Sequence, residues 1–158
     1  MTAQELTPGE LSDRTLIQDV LIRYSTGIND KNIDLIDSCF TGDATCDYSA
    51  VGGPNGSYSQ LQKWFQETLG HVKASLHRVG NVTYEFEGDV ARTRAMYMNP
   101  FIIELPGDNQ GALTVGGYYE DEFVRTSDGW RIRQRIDVST YHAGEFPSRE
   151  EIDEILSE

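Results

Sequence analysis

Apolar residues recur at steps of three and four along the first part of the chain. Ile17, Val20, Leu21, Tyr24 and Ile28 form one stripe, which predicts an amphipathic helix. Ser12 stands where it would cap that helix, with Asp13 in the first turn, where a carboxylate complements the helix N-terminus. Residues 1–11 then read as a loose N-terminal arm. "NDKN" breaks the stripe, and Asn32 is placed to cap a short second helix carrying Ile33, Ile36 and Phe40. "TGD" at 41–43 reads as a turn and "ATCDYSAV" as a strand. "GGPNGS" is a sharply bent loop. After it, Leu61, Trp64, Phe65 and Leu69 share one face of a third helix, which Gly70 is placed to end.

From residue 74 the period changes from 3.6 to two, and strands are predicted over 74–86, 91–105, 112–126 and 130–141. "EGD" and "SDG" read as hairpin turns and "PGDNQG" as a longer connection. The tail "PSREEIDEILSE" carries a capping box, Ser148 with Glu151. Its Ile152, Ile155 and Leu156 give an apolar edge, which predicts a terminal helix if that edge docks. Helices first and long antiparallel strands afterwards indicate an α+β domain over residues 12–142, with a tail at 143–158. A strongly curved sheet would wrap the helices and leave a pocket between them.

Composition narrows the function classes. A chain of 158 residues with 38% apolar residues suits one domain with its own core. The net charge of -13 argues against non-specific binding to nucleic acid or anionic membrane. The N-terminus lacks a basic region followed by an apolar run, and no apolar stretch has the length of a membrane span. The expectation is a cytoplasmic protein. Cys39 and Cys46 are too few and wrongly spaced for a zinc site, and read as two reduced, buried thiols. There is no phosphate loop, dinucleotide fingerprint, metal triad or "GxSxG" elbow, so chemistry without metal or cofactor is expected.

Several stretches carry a family resemblance. "LIRYSTGINDKNIDLIDSCFTGDATCDY" resembles the opening of SnoaL-like proteins in the nuclear transport factor 2-like superfamily. "SLHRVGN", "EGDVARTRA", "GGYYEDEF" and "DGWRIRQR" fit the same pattern in the same order, over residues 12–142. The resemblance rests on order and spacing rather than on one motif. It implies a cone-shaped α+β fold, a cystatin-like curved sheet enclosing a hydrophobic pocket. The nearest branch implied is that of scytalone dehydratase, bile acid dehydratase and the dehydrochlorinases, with polyketide cyclases also related. The superfamily contains non-enzymes too, so the fold does not settle function.

Within that resemblance His77 occupies the catalytic histidine position. An imidazole titrates near neutrality, so it could take a proton from carbon beside a carbonyl or return one to a leaving hydroxyl. The other reading is a histidine bonded to a backbone carbonyl at a strand start. His71 and His142 read as surface residues. In the enzymatic relatives an aspartate five positions after the helix-one tyrosine orients the histidine. Here that position, counted from Tyr24, is Asn29. Its oxygen could accept a ring N–H but could not stabilise an imidazolium by charge. The adjacent Asp30 points elsewhere if the helix continues.

Tyr48 and Tyr24 could polarise a carbonyl, or be core aromatics with satisfied hydroxyls. The match assigns Tyr118 and Glu120 to the pocket, although a shift of one residue would select the face of Tyr119, Asp121 and Phe123 instead. Ala95 stands where scytalone dehydratase has its second histidine, so that specific activity is not expected. Tyr97 and Asn99 share the face of Ala95 and are candidate ligand contacts, as is Trp64. Arg131, Arg133 and Arg135 share one face of the last strand by simple alternation. Arg135 is the candidate for a leaving group or carboxylate, with Gln134 the alternative if the other face lines the pocket. The implied function is a cofactor-independent lyase or isomerase, of dehydratase or cyclase type, acting on a hydrophobic hydroxylated or ketonic small molecule. The alternatives are a non-catalytic binding protein and the small subunit of a larger oxygenase. By analogy with relatives, a homodimer or homotrimer is expected.

Overall fold

The computed structural model of the chain describes residues 5–145 and 147–157; residues 1–4 of the expected arm and the side chain of Leu156 lie outside the described residues. The first helix, α1, runs Pro8–Asp30 and so begins before Ser12. Thr7 is the cap: its hydroxyl accepts from the Glu10 N–H while the Glu10 carboxylate accepts from the Thr7 N–H. That reciprocal pair, with Pro8 in the first turn, satisfies the open helix end better than Ser12 would. Helix α2 (Ile33–Asp37) is capped by Asn32, as its sequence indicated.

Strand β1 (Phe40–Asp47) contains the "TGD" segment expected as a turn. The segment is accommodated as an irregularity in pairing with the last strand, where the register jumps between Phe40 and Thr45. Residues Ser49–Val51 form a single 3-10 turn, followed by β2 (Asn55–Ser57) and α3 (Tyr58–Thr68). Helix α3 passes into another 3-10 turn, Leu69–His71, which holds Gly70. Then come β3 (Val72–Ser75), β4 (Arg78–Glu87), β5 (Val90–Leu105), β6 (Asn109–Thr126) and β7 (Gly129–Ala143), and α4 (Arg149–Ser157). The strand expected over 74–86 is thus two strands. β4 pairs with the first half of β5 and β3 with residues 101–103. His77 sits at the break between them.

The sheet order is β2-β1-β7-β6-β5-β3, with β4 also on β5. Among the described residues only the β1/β7 pairing is parallel. The sheet is curved and unclosed, and its concave face receives α1 and α3. Ile17, Val20, Leu21 and Tyr24 from α1 meet Leu61 and Phe65 from α3 and the inward residues of the strands. Full burial of each aliphatic or aromatic side chain contributes about 1.5–3 kcal/mol.

Two bulges aim the inward residues. Between β6 and β7, Glu122 pairs with Gln134 but Phe123 with Ile132, so Arg133 is the extra residue. Trp130 and Ile132 face inward before it, and Arg135 and Asp137 after it. Unbroken alternation would have turned Arg135 outward with Arg131 and Arg133, so the single shared arginine face is not formed. A second shift, at Gly116/Gly117, leaves Thr140 unpaired. There a Cβ on Gly117 would lie 2.1 Å from the Val138 carbonyl oxygen, so the close approach requires glycine.

Candidate functional site

The space between α1, α3 and the concave sheet is a cavity of about 490 Å³. That is within the range of small-molecule sites, about 300–1,000 Å³. Its walls are largely apolar, with Ile28, Trp64, Phe65, Leu69 and Val115 among them. Ile152 and Ile155 of α4 reach the same cavity, although Ile152 stays exposed and Ile155 only half-buried, so the apolar edge of the tail helix is incompletely covered. Polar groups converge on one corner: Tyr24, Tyr48, His77, Tyr97, Tyr119 and Asp137. A second polar spot lies further along the wall, where the Ser75 hydroxyl donates to Asn99 Oδ1 at 2.8 Å.

His77 is 4% exposed and held at four points. Its Nδ1 is 2.9 Å from the Ser25 hydroxyl and its Nε2 2.7 Å from the Tyr119 hydroxyl. Its backbone N–H donates to Asn29 Oδ1 at 2.7 Å, and its carbonyl accepts from Asn29 Nδ2 at 3.2 Å. Asn29 therefore clamps the backbone at the β3/β4 break. The expectation that its oxygen holds the imidazole ring is corrected: Ser25, one helical turn earlier, does that. Burial, reinforced by the charge of Arg135, pushes the imidazole down to about 3, so the ring is neutral near pH 7. A neutral ring has one N–H and one lone pair, and two hydroxyls satisfy either tautomer.

Arg135 is fully buried and does not lie on the cavity wall. It forms a bidentate pair with Asp121, 2.7 Å from Nε to Oδ1 and 2.7 Å from Nη2 to Oδ2. Burial opposes the guanidinium charge, but the Asp121 carboxylate outweighs it and holds Arg135 protonated. The guanidinium carbon sits 4.4 Å from the Tyr24 ring centroid and 4.0 Å from that of Tyr119. A cation against those ring faces favours phenolate character and so strengthens both phenols as donors. Burial nevertheless pushes Tyr24 up to about 12 and raises Tyr48 and Tyr119, so all three keep their protons near neutrality.

Tyr24 and Tyr48 share a hydroxyl–hydroxyl bond of 2.9 Å. One of the two protons lies in that bond, leaving the other free to donate. Tyr97 stacks on Tyr119 with centroids 4.3 Å apart, and its hydroxyl donates to Asp137 Oδ1 at 2.7 Å. Burial pushes the Asp137 carboxyl up to about 6, while the Tyr97 bond and the Arg135 charge restrain the rise.

Among the residues proposed from sequence, Tyr24, Tyr48, Trp64, His77, Tyr97 and Asn99 come together on the cavity wall. Tyr118 and Glu120 do not. They lie on the outer face of β6, where Glu120 pairs with Arg94 at 3.4 Å and the Arg94 guanidinium stacks on the Tyr118 ring. The inward face carries Leu113, Val115, Tyr119 and Phe123, a more apolar set that outweighs the other in the core. Counting apolar residues on the two faces would have found it. Gln134 is exposed. Asp30 is exposed at the end of α1. His71 lines the cavity rather than the outer surface, because the 3-10 turn after α3 folds it inward. His142 is exposed, its Nε2 2.7 Å from the Ser139 hydroxyl. Tyr119 and Asp121 lie on the face that the sequence offered as the alternative, and it is that face which turns inward; Ser25 and Asp137 were missed, and for Asp137 the signal is its i+2 spacing from Arg135 once that residue is turned inward.

Cys39 and Cys46 are free and buried, with thiols pushed by burial to about 11 and about 12, so neither is a ready nucleophile. Among the described residues, no group of three His, Cys, Asp or Glu side chains is placed to hold a metal ion, and no helix is long and apolar enough to cross a membrane.

A family model described as a SnoaL-like domain matches residues 9–136. An uncharacterised Mycobacterium tuberculosis protein, Rv2910c, is 39% identical over 136 residues, covering 86% of this chain and 91% of its own. A solved chain from Novosphingobium aromaticivorans, provisionally named an aromatic ring hydroxylase, is 28% identical with a TM-score of 0.76, over 89% of this chain and 96% of that one. A second chain from the same organism, provisionally named a scytalone dehydratase, has a TM-score of 0.79 over 90% of this chain and 94% of its own. Its identity is 16%, so that likeness is one of fold.

Proposed function

The chain belongs to the SnoaL-like family, with a nuclear transport factor 2-like α+β fold, and from that premise we propose that it is a cofactor-independent lyase or isomerase. Its substrate is a mostly apolar molecule of one or two rings bearing a carbonyl. The observation that supports this best is the main polar corner of a largely apolar cavity, where un-ionised phenols, a neutral imidazole and a carboxyl converge. The Tyr24–Tyr48 pair donates to the carbonyl oxygen. A donor aimed at a developing oxyanion in a water-poor site is typically worth about 10²–10³ in rate. His77 fixes the Tyr119 hydroxyl in that corner and carries a proton between Tyr119 and Ser25 without becoming charged.

The aldol adduct of acetone and benzaldehyde tests the reading. Loss of water gives benzalacetone, which absorbs in the near ultraviolet. The protein accelerates that loss, β-naphthol inhibits it by filling the cavity, and His77→Ala abolishes turnover while the fold survives. A second reading, a binding protein without turnover, is favoured by the complete internal satisfaction of the His77 ring. It predicts that β-naphthol binds while the adduct is left unchanged. Full activity in His77→Ala would remove His77 from the mechanism.

A further inference from the structure

We propose that the cavity continues past its polar corner into an apolar channel beneath α4, which takes an unbranched aliphatic tail of the substrate, with His71 meeting a neutral oxygen at the tail's end. This rests on the lyase or isomerase reading and names what the substrate carries beyond its carbonyl-bearing head. Tyr97, Asn99, Phe101 and Ile103 are alternate residues of β5, and all four line the cavity. The strand from Tyr97 to Ile103 covers about 20 Å, whereas a sphere of 490 Å³ would be only about 10 Å across. The cavity is therefore elongated. A head of one or two rings seated at the Tyr24–Tyr48 pair leaves the α4 end unfilled.

That end is walled by Leu69 after α3, Phe101 and Ile103 from β5, Leu113 from β6, and Ile152 and Ile155 from α4. Ile152 is 41% exposed and Ile155 half-buried, so α4 holds apolar surface over the channel without closing it. A chain of methylenes lying there removes that surface, and its own, from water. No ring shape is called for, because the inward residues of β5 follow one another in a single row.

Most polar groups along the channel are committed. Thr68 Oγ1 donates to the Trp64 carbonyl at 2.7 Å, Glu104 pairs with Lys73 at 3.4 Å, and the Ser75 hydroxyl is spent on Asn99. The His71 ring lines the same space, on the turn after α3, and among the described residues it has no hydrogen-bond partner. A neutral imidazole offers one donor and one acceptor, and a hydroxyl answers both. An anionic terminus is disfavoured. The chain carries a net charge of -13, Glu104 stands on the cavity wall, and α4 adds Glu150, Glu151, Asp153 and Glu154.

Calorimetric titration of straight-chain methyl ketones into the full chain tests the channel. From 2-pentanone to 2-undecanone the dissociation constant falls about fourfold per added methylene, and β-naphthol competes with every member. Replacing both Ile152 and Ile155 by Asn lowers the ratio of 2-undecanone to 2-pentanone affinity by about tenfold. Affinity that stays flat along the series, or a ratio unchanged in the double variant, overturns the channel. If that variant does not fold, Ile152→Ala, which only shortens an exposed side chain, is read the same way: a lowered ratio supports the channel and an unchanged one overturns it. His71→Leu weakens 11-hydroxy-2-undecanone about tenfold more than 2-undecanone; equal weakening overturns the part assigned to His71. 10-Oxoundecanoate binds less tightly than the hydroxy ketone, and tighter binding overturns the neutral terminus. None of these measurements involves turnover. Their failure leaves the lyase or isomerase reading standing, and failure of wild type to dehydrate the aldol adduct leaves the channel standing.

Discussion

His77 enters the folded state as a neutral ring, and that has a thermodynamic signature independent of any substrate. Its pKa falls from 6.5 to about 3 on folding, so the unfolded chain binds its proton more readily. The stabilisation is fully present above about pH 6.5 and is lost as pH falls toward 3. Between neutrality and about pH 5 the loss from this one residue is about 2 kcal/mol. Urea unfolding at the two pH values measures it: wild type loses about 2 kcal/mol more than His77→Asn over the interval. Parallel losses in the two proteins would mean that the ring is protonated in the fold. Asn29 illustrates the same scale from the other side. The sequence placed it beside His77, which is correct, but its amide meets the peptide on both sides of the residue rather than the ring. Position along a helix predicts proximity; which atom is met depends on the path of a strand break that no local pattern announces.

At the scale of elements, the tie between β6 and β7 decides the site. Asp121 and Arg135 are both fully buried and answer each other bidentately, and Arg135 in turn supports the rings of Tyr24 and Tyr119. Asp121→Asn leaves the guanidinium buried without its counter-charge, which costs about 3–5 kcal/mol. Chemical denaturation reads that directly, and a loss below about 1 kcal/mol would show that the pair is dispensable. Helices were the legible elements, because Ile17–Leu21–Tyr24–Ile28 and Leu61–Phe65 repeat at the helical period over several turns. The irregularities were not. "KASLHRV" holds no glycine or proline to mark the β3/β4 break, and in "WRIRQR" the arginines alternate straight through the Arg133 bulge. A bulge is set by what the partner strand must accommodate, so one strand's sequence does not reveal it.

For the whole molecule, the order of periods, helical first and then two-residue, was enough to give an α+β domain with a curved sheet around its helices. The periods did not gather Tyr24, Tyr48, Trp64, His77, Tyr97 and Asn99 on one cavity; the family resemblance implied that set, and the structure has them on one wall. Ser25 and Asp137 escaped, and Tyr119 stood only on the alternative face, because they matter through where three elements converge, and convergence is a property of the folded cone. The account's central claim is that this convergence moves a proton to or from carbon. The most direct measurement is deuterium incorporation into α-tetralone by wild type with β-naphthol as competitor. The account predicts exchange above the buffer rate that falls to that rate as β-naphthol fills the cavity. Exchange indistinguishable from buffer, or exchange that persists once β-naphthol saturates the protein, would contradict it.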